Sequence, residues 1–166
     1  MVNFQLLLID GLVLSVIVGT IVVTSFIKRP RIWIRDFPDD IGEMAQPMTA
    51  QEKSLALKVG LSTVAVMLGT LAISTVRFGF EGGFWLAVLH AYLLFQFFNV
   101  VDVAIDWAAL ALIDPADPPI PGTAGAPGWS NYAYHAIASI KGVFLGIPIA
   151  MLAASLGWLY WGFVSL

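Results

Sequence analysis

The sequence predicts an all-α membrane protein, a polytopic bundle of four transmembrane helices with both termini on the external side. The composition, the number of long apolar segments and the position of the basic residues lead to this prediction. The chain has 166 residues, of which 59% are hydrophobic and only 11% charged, and its mean hydropathy is +0.87. Soluble domains contain roughly 45–50% apolar residues, so this composition fits a lipid environment better than water.

Four apolar segments are long enough to cross the hydrocarbon core of a bilayer, which takes about 20 helical residues. We expect helices at about residues 4–27, 55–78, 84–113 and 132–164. The loops at residues 28–54 and 114–131 then lie on one side of the membrane. The sequence therefore predicts a single membrane domain over residues 1–166.

The basic residues determine the predicted orientation. Six of the eight lie in or next to the first loop: Lys28, Arg29, Arg31, Arg35, Lys53 and Lys58. Because loops rich in Lys and Arg stay in the cytoplasm, both long loops are predicted to be cytoplasmic and both termini external. These cations follow the first apolar segment, which is opposite to the charge order of a secretory signal peptide.

The first two helices carry structural signals. Gly11, Ser15 and Gly19 recur at four-residue spacing in the first helix, and such stripes of small residues let membrane helices approach closely. Thr49 and Glu52 precede the second apolar segment at the spacing of a capping box, in which the two side chains bind free amides at a helix start.

The third helix carries polar side chains within an apolar sequence. At about 100° per residue they share one face: Tyr92, Gln96, Asn99, Asp102 and Asp106. A carboxylate near the middle of a bilayer costs roughly 2.5–3.5 kcal/mol on insertion scales, so such a group marks a pathway, a binding site or a partner contact. The polar face therefore locates a candidate site without identifying its chemistry.

The fourth helix supplies expected partners for this face. Lys141 lies at about the depth of Asp106, so we expect the two to form an ion pair, while His135 points about 120° away from Lys141 around the helix. One lysine neutralises one carboxylate, so the other aspartate is expected to take up a proton or recruit a cation. The candidates for ligand or ion binding are Asn99, Asp102, Asp106, Tyr134, His135 and Lys141.

A second, outer polar layer is expected from Asp10 of the first helix and His90 of the third, as an ion pair or a hydrogen bond. A metal site would need a third ligand there. No metal or cofactor is evident: Asp102 and Asp106 are only weak candidates for metal ligands, and a cation or a lipid is the kind of ligand that the polar layer would bind. The chain has no cysteine, which excludes disulfides and thiolate sites.

Four motifs are spread over most of the chain: RDFPDDI at residues 35–41, FNxxDxxxDW at residues 98–107, IPGT at residues 120–123 and YHxxxxxKG at residues 134–142. Together they resemble the pattern of an uncharacterised group of small bacterial integral membrane proteins. The resemblance implies a shared four-helix fold and a location in the bacterial cytoplasmic (inner) membrane. It implies no catalytic role, because no activity is established for that group.

Three functions are open at the level of the sequence. The first is a multi-pass inner-membrane protein whose buried acidic site, formed by Asn99, Asp102, Asp106 and Lys141, binds or conducts a proton, a cation or a small polar solute. The second is an accessory or scaffold subunit of a larger membrane complex. The third is a lipid- or isoprenoid-modifying membrane enzyme, with Asp102 or Asp106 as a base and His135 as an acid.

Whether the chain is an enzyme is left open, with a non-enzymatic role preferred, because no serine elbow, HExxH or phosphate loop is present. Contact between His135 and the aspartates, together with a cleft of lipid size, would favour the third function. The expected partners are membrane lipids, other membrane subunits or a second copy of the chain. The net charge of −3 and the lack of a basic tail give no indication of nucleic acid.

Overall fold

The computed structural model describes residues 3–164, and over that range all regular structure is helical. The four long helices are α1 (Phe4–Lys28), α3 (Ala50–Phe78), α4 (Phe84–Leu112) and α5 (Tyr132–Val164). The connecting segments form a 3₁₀-helix (Pro30–Asp36), the short helix α2 (Asp39–Met44) and a second 3₁₀-helix (Pro127–Ser130). Each long helix is apolar enough to span a membrane, so the predicted all-α fold with four long apolar helices is confirmed.

The start of α3 shows how a local signal sets a helix end. The helix begins at Ala50, before the apolar segment itself, because the capping box is formed. The Thr49 Oγ1 atom accepts a hydrogen bond from the Glu52 amide at 3.2 Å, and the Glu52 carboxylate accepts one from the Thr49 amide at 2.7 Å. The first turns of α3 are therefore polar and precede its apolar part.

Small residues allow the long helices to pack closely within this chain. Gly11 of α1 lies against the ring of Phe97 on α4, and Gly142 of α5 lies against the Asn99 side chain of α4. A methyl group at either glycine would overlap these neighbours. The stripes of small residues therefore serve contacts between helices of one chain.

The two long loops form a second, smaller core at one end of the bundle, which we call the cap (residues 30–49 and 114–131). Ile41, Ile120 and Trp129 are almost completely buried there. The Asp40 carboxylate accepts a hydrogen bond from the Gly128 amide at 2.7 Å and so ties the first loop to the second. Within the cap, the 3₁₀-helix Pro30–Asp36 lies beside α1 and α3.

Candidate functional site

Asp106 of α4 and His135 of α5 meet at the end of the bundle that carries the cap. The Nδ1 atom of His135 lies 2.8 Å from the Oδ2 atom of Asp106. His135 is only 7% exposed. Helices α4 and α5 run antiparallel with the second loop between them, so residues near the end of one face residues near the start of the other.

The hydrogen bond determines where the proton of the imidazole lies. When Asp106 is ionised its carboxylate only accepts hydrogen bonds, and Nδ1 of His135 then carries a proton and donates a hydrogen bond to Asp106. In the neutral ring Nε2 then holds a free lone pair. This buried Nε2 atom has no hydrogen-bond partner among residues 3–164. A carboxylate that orients an imidazole with a free nitrogen is the arrangement of a general base.

Aromatic rings hold the imidazole in place. The ring of Phe37 meets that of His135 edge-on, with 5.9 Å between their centroids, and the ring of the neighbouring Tyr134 lies 5.5 Å away. Phe37 in turn packs on Trp129 at 5.0 Å, inside the core of the cap. The fold of the two loops therefore supports the position of His135.

Asp36, the last residue of the first 3₁₀-helix, belongs to the same group of side chains. Burial of its carboxylate by surrounding protein atoms raises the pKa of Asp36, and the negative charge of Asp106 raises it further, while His135 has the opposite, smaller effect. The residue as a whole is nevertheless exposed to solvent. Asp36 is thus a carboxyl group that takes up a proton more readily than an ordinary aspartate.

These polar residues line one end of a half-open groove between α1, α4 and the first 3₁₀-helix, which we call the lateral groove. Its volume is about 400 Å³. Most of the wall is apolar and comes from Val22, Val23, Phe26, Ile27, Trp33, Phe37, Ile105, Ala108, Ala109, Leu110, Leu112 and Ile113. Its polar side chains are Asp36, Asp106 and His135. The groove is therefore amphipathic, with an apolar wall and an acidic end.

The remainder of the polar face on α4 has a different role. The Asn99 Nδ2 atom donates to the Ser139 carbonyl of α5 at 3.0 Å and lies 3.3 Å from the Gln96 Oε1 atom. This contact connects α4 to α5 within the bundle. Asp102 lies one turn before Asp106 and is partly buried, with no hydrogen bond or ion pair to any residue that the structure describes.

The expected ion pair between Lys141 and Asp106 is wrong. Lys141 is exposed, and its ammonium group makes no ion pair within residues 3–164. The physical reason is rotation about the helix axis: His135 and Lys141 point about 120° apart, so only one of them can face Asp106. The packing of α5 turns His135 inward.

The outer layer brings Asp10 and His90 together through Ser74, which the sequence reasoning did not identify. The Ser74 hydroxyl donates to Asp10 Oδ2 at 2.6 Å. Since its single proton is used there, His90 Nε2 must donate to the Ser74 oxygen, 2.9 Å away. Arg77 forms an ion pair with Asp10. The sequence signal for Arg77 is its position: it is the basic residue near the end of the second predicted helix, at the same end of the bundle as Asp10 and His90.

Asp36 was also missed as a site residue, although it lies in the first motif. The sequence does not show that Asp36 lines the same groove as Asp106 of α4. Among residues 3–164 no three His, Cys, Asp or Glu side chains are grouped to hold a metal ion.

Comparison with known proteins identified no family. No protein-family model matches this chain, and no curated protein or solved structure was found to be similar to it. The resemblance inferred from the motifs therefore stays a prediction.

Proposed function

We propose that this protein is a multi-pass membrane protein that binds a lipid- or isoprenoid-type amphiphile in the lateral groove. The apolar part of the ligand lies along α1 and α4, and its polar end lies at Asp106 and His135. One observation carries the proposal: His135, oriented by Asp106 and with a free Nε2, lines the acidic end of an otherwise apolar groove.

The surface of the bundle supports a membrane location. Large apolar side chains on all four long helices are more than 60% exposed, including Val16, Leu61, Val100 and Phe144. Lipid covers such a surface without cost, whereas water does not. With the positive-inside rule, the cap lies in the cytoplasm and both termini lie outside. We propose that the protein is located in a bacterial inner membrane.

The groove is suited to selecting a ligand by its polar end. Volumes of roughly 300–1,000 Å³ are typical of small-molecule sites, and this groove lies within that range at about 400 Å³. Transfer of an alkyl chain from lipid into an apolar groove yields little free energy, because lipid tails are as apolar as the groove wall. Selection therefore depends on the hydrogen bonds that Asp106, His135 and Asp36 make with the polar end.

The same pair is placed to accept a proton. With Nδ1 of His135 bound to Asp106, the proton of a ligand or of a water molecule would go to Nε2, and Asp106 would stabilise the resulting imidazolium. A positioned general base of this kind typically contributes about 10²–10⁴ in rate. If the protein is an enzyme that acts on a lipid, Asp106 and His135 serve as its general base as well as its ligand-binding groups.

The two other functions have less support. An ion site built from Asn99, Asp102, Asp106 and Lys141 together has less support, because Lys141 is exposed and Asn99 binds the Ser139 carbonyl. A scaffold would present its small residues to a partner, but Gly11, Gly142 and Gly146 are occupied by other helices of the same chain. Neither alternative accounts for the amphipathic groove.

An alkyl diazirine photolabel tests the proposal in detergent-purified protein or proteoliposomes. We expect the label to concentrate on residues 22–27 and 105–113, and excess long-chain alcohol to reduce labelling there. Ala109→Phe fills the groove and should remove this labelling, whereas Val64→Phe on the exposed face of α3 should not. Uniform labelling of all lipid-facing helices, unaffected by competitors, would contradict the proposal.

A further inference from the structure

We infer that the polar end of the amphiphile is an uncharged hydroxyl group, so that the ligand of the lateral groove is a long-chain or isoprenoid alcohol. This inference rests on the proposed function and names the ligand class of the same site. It follows from the charges that line the groove, from the free lone pair of His135 and from the neighbouring carboxyl group of Asp36.

The charges of the groove oppose an anionic ligand. Asp36 and Asp106 line its polar end, and no Lys or Arg is part of its wall. The nearest cation along the chain, Arg35, lines a different cavity, which shares Trp33 and Asp36 with the groove. A phosphate or carboxylate head would therefore lie near two carboxyl groups with no Lys or Arg among the described residues of the wall to compensate its charge, which disfavours binding.

The hydrogen-bond pattern requires a donor on the ligand. When Asp106 is ionised, the Nε2 atom of His135 is free to accept a hydrogen bond. No residue in the described part of the chain donates one to it. A hydrocarbon, an ester or an ether cannot donate to it, and would leave this buried nitrogen without a partner. A hydroxyl group supplies the donor.

The groove also favours a hydroxyl over an ammonium group. An ammonium group has three donors and no acceptor, and its full charge is costly to remove from water into an apolar wall. A hydroxyl both donates and accepts. It donates to His135, and it accepts from Asp36 when that carboxyl group is protonated, for which the partial burial beside Asp106 is suited.

Competition among ligands that share one chain tests the inference. Farnesol, farnesyl methyl ether, farnesylamine and farnesyl phosphate would each compete with the alkyl diazirine label in the purified full chain. We expect farnesol to displace the label at concentrations at least about tenfold lower than the other three, since sites built around a ligand hydroxyl reject analogues that lack it. Equal or better displacement by the ether, the amine or the phosphate would overturn the inference while leaving amphiphile binding intact.

Variants separate the role of His135 from a general loss of folding. Asp106→Asn places an amide donor beside Nδ1, which favours the tautomer with the proton on Nε2 and removes the acceptor. The preference for farnesol over its methyl ether should then fall below about threefold, while the label still enters the groove. Lys141→Gln, a change at an exposed residue of α5, the helix that carries His135, should keep the full preference for farnesol. If Asp106→Asn keeps it too, the inference fails, and if no competitor displaces the label from the parent, the proposed function fails with it.

Discussion

The Nδ1 atom of His135 lies 2.8 Å from the Oδ2 atom of Asp106, and this contact joins α5 to α4 at the acidic end of the lateral groove. It orients the imidazole so that Nε2 is left as an acceptor. It pairs a half-buried carboxylate with a buried histidine through a single hydrogen bond. Buried polar atoms without a hydrogen-bond partner also occur at His90 Nδ1 and Gln96 Nε2, but of these three residues it is His135 that lines the lateral groove.

The stability of the protein should depend on the ionisation of Asp36. A carboxyl group whose pKa is raised on folding binds its proton more tightly in the folded state, so stability falls as pH rises from the ordinary aspartate value of about 3.9 towards the raised value. The Asp36→Asn variant has no carboxyl group at this position, so its stability does not fall for this reason as the pH rises. Its thermal midpoint relative to the parent should therefore increase across that pH window in detergent.

The control for this pH series is Gln51→Ala, an exposed and non-ionisable residue at the same end of the bundle. Its difference from the parent should not change with pH. A pH-independent difference for Asp36→Asn would show that the carboxyl group is not perturbed by folding.

The hydroxyl of Ser74 should contribute measurably to stability. Ser74→Ala leaves the buried His90 Nε2 atom without a partner and removes one hydrogen bond from the Asp10 carboxylate, which keeps its ion pair with Arg77; this should cost about 1–3 kcal/mol. Unfolding by SDS titration measures this cost. Ser155→Ala removes a hydroxyl that bonds only to the Met151 carbonyl in its own helix, and should change stability by less than about 0.5 kcal/mol. Equal effects of the two variants would argue against the outer polar layer.

Gly142 should be intolerant of a methyl group. An alanine Cβ there would lie 2.7 Å from Asn99 Oδ1 and disturb the bond from Asn99 to the Ser139 carbonyl. We expect Gly142→Ala to destabilise the protein by about 1–3 kcal/mol, as measured by SDS unfolding. Gly69→Ala is the matched control, because its Cβ meets nothing within 4 Å, and it should be stabilising by up to about 1 kcal/mol. A neutral Gly142→Ala would mean that α4 and α5 pack less closely.

The orientation can be tested directly because the chain contains no cysteine. Single variants Gly42→Cys in the cap and Glu81→Cys in the turn between α3 and α4 place one thiol at each end of the bundle. In intact cells an impermeant maleimide should label the second and not the first. The reverse pattern would invert the proposed topology, and labelling of both only after lysis would contradict insertion in the cell membrane.

The four long helices and the capping box could be predicted from the sequence because each depends on neighbouring residues. The apolar segments specify the helices, and Thr49 with Glu52 specifies the start of α3. The partner of Asp106 could not be predicted in the same way. Depth along a helix is readable from the residue number, and it placed Lys141 level with Asp106, but depth does not say which way the side chain points.

By itself the sequence determined the number of long helices, their approximate ends and the positions of the polar residues along them, since hydrophobic length and capping are local properties. Only the tertiary structure decided that α5 turns His135 towards α4, that Ser74 joins Asp10 to His90, and that the first loop places Asp36 beside Asp106. The rotation of a helix about its axis and the path of a loop depend on packing against every neighbour at once. No local pattern contains that information.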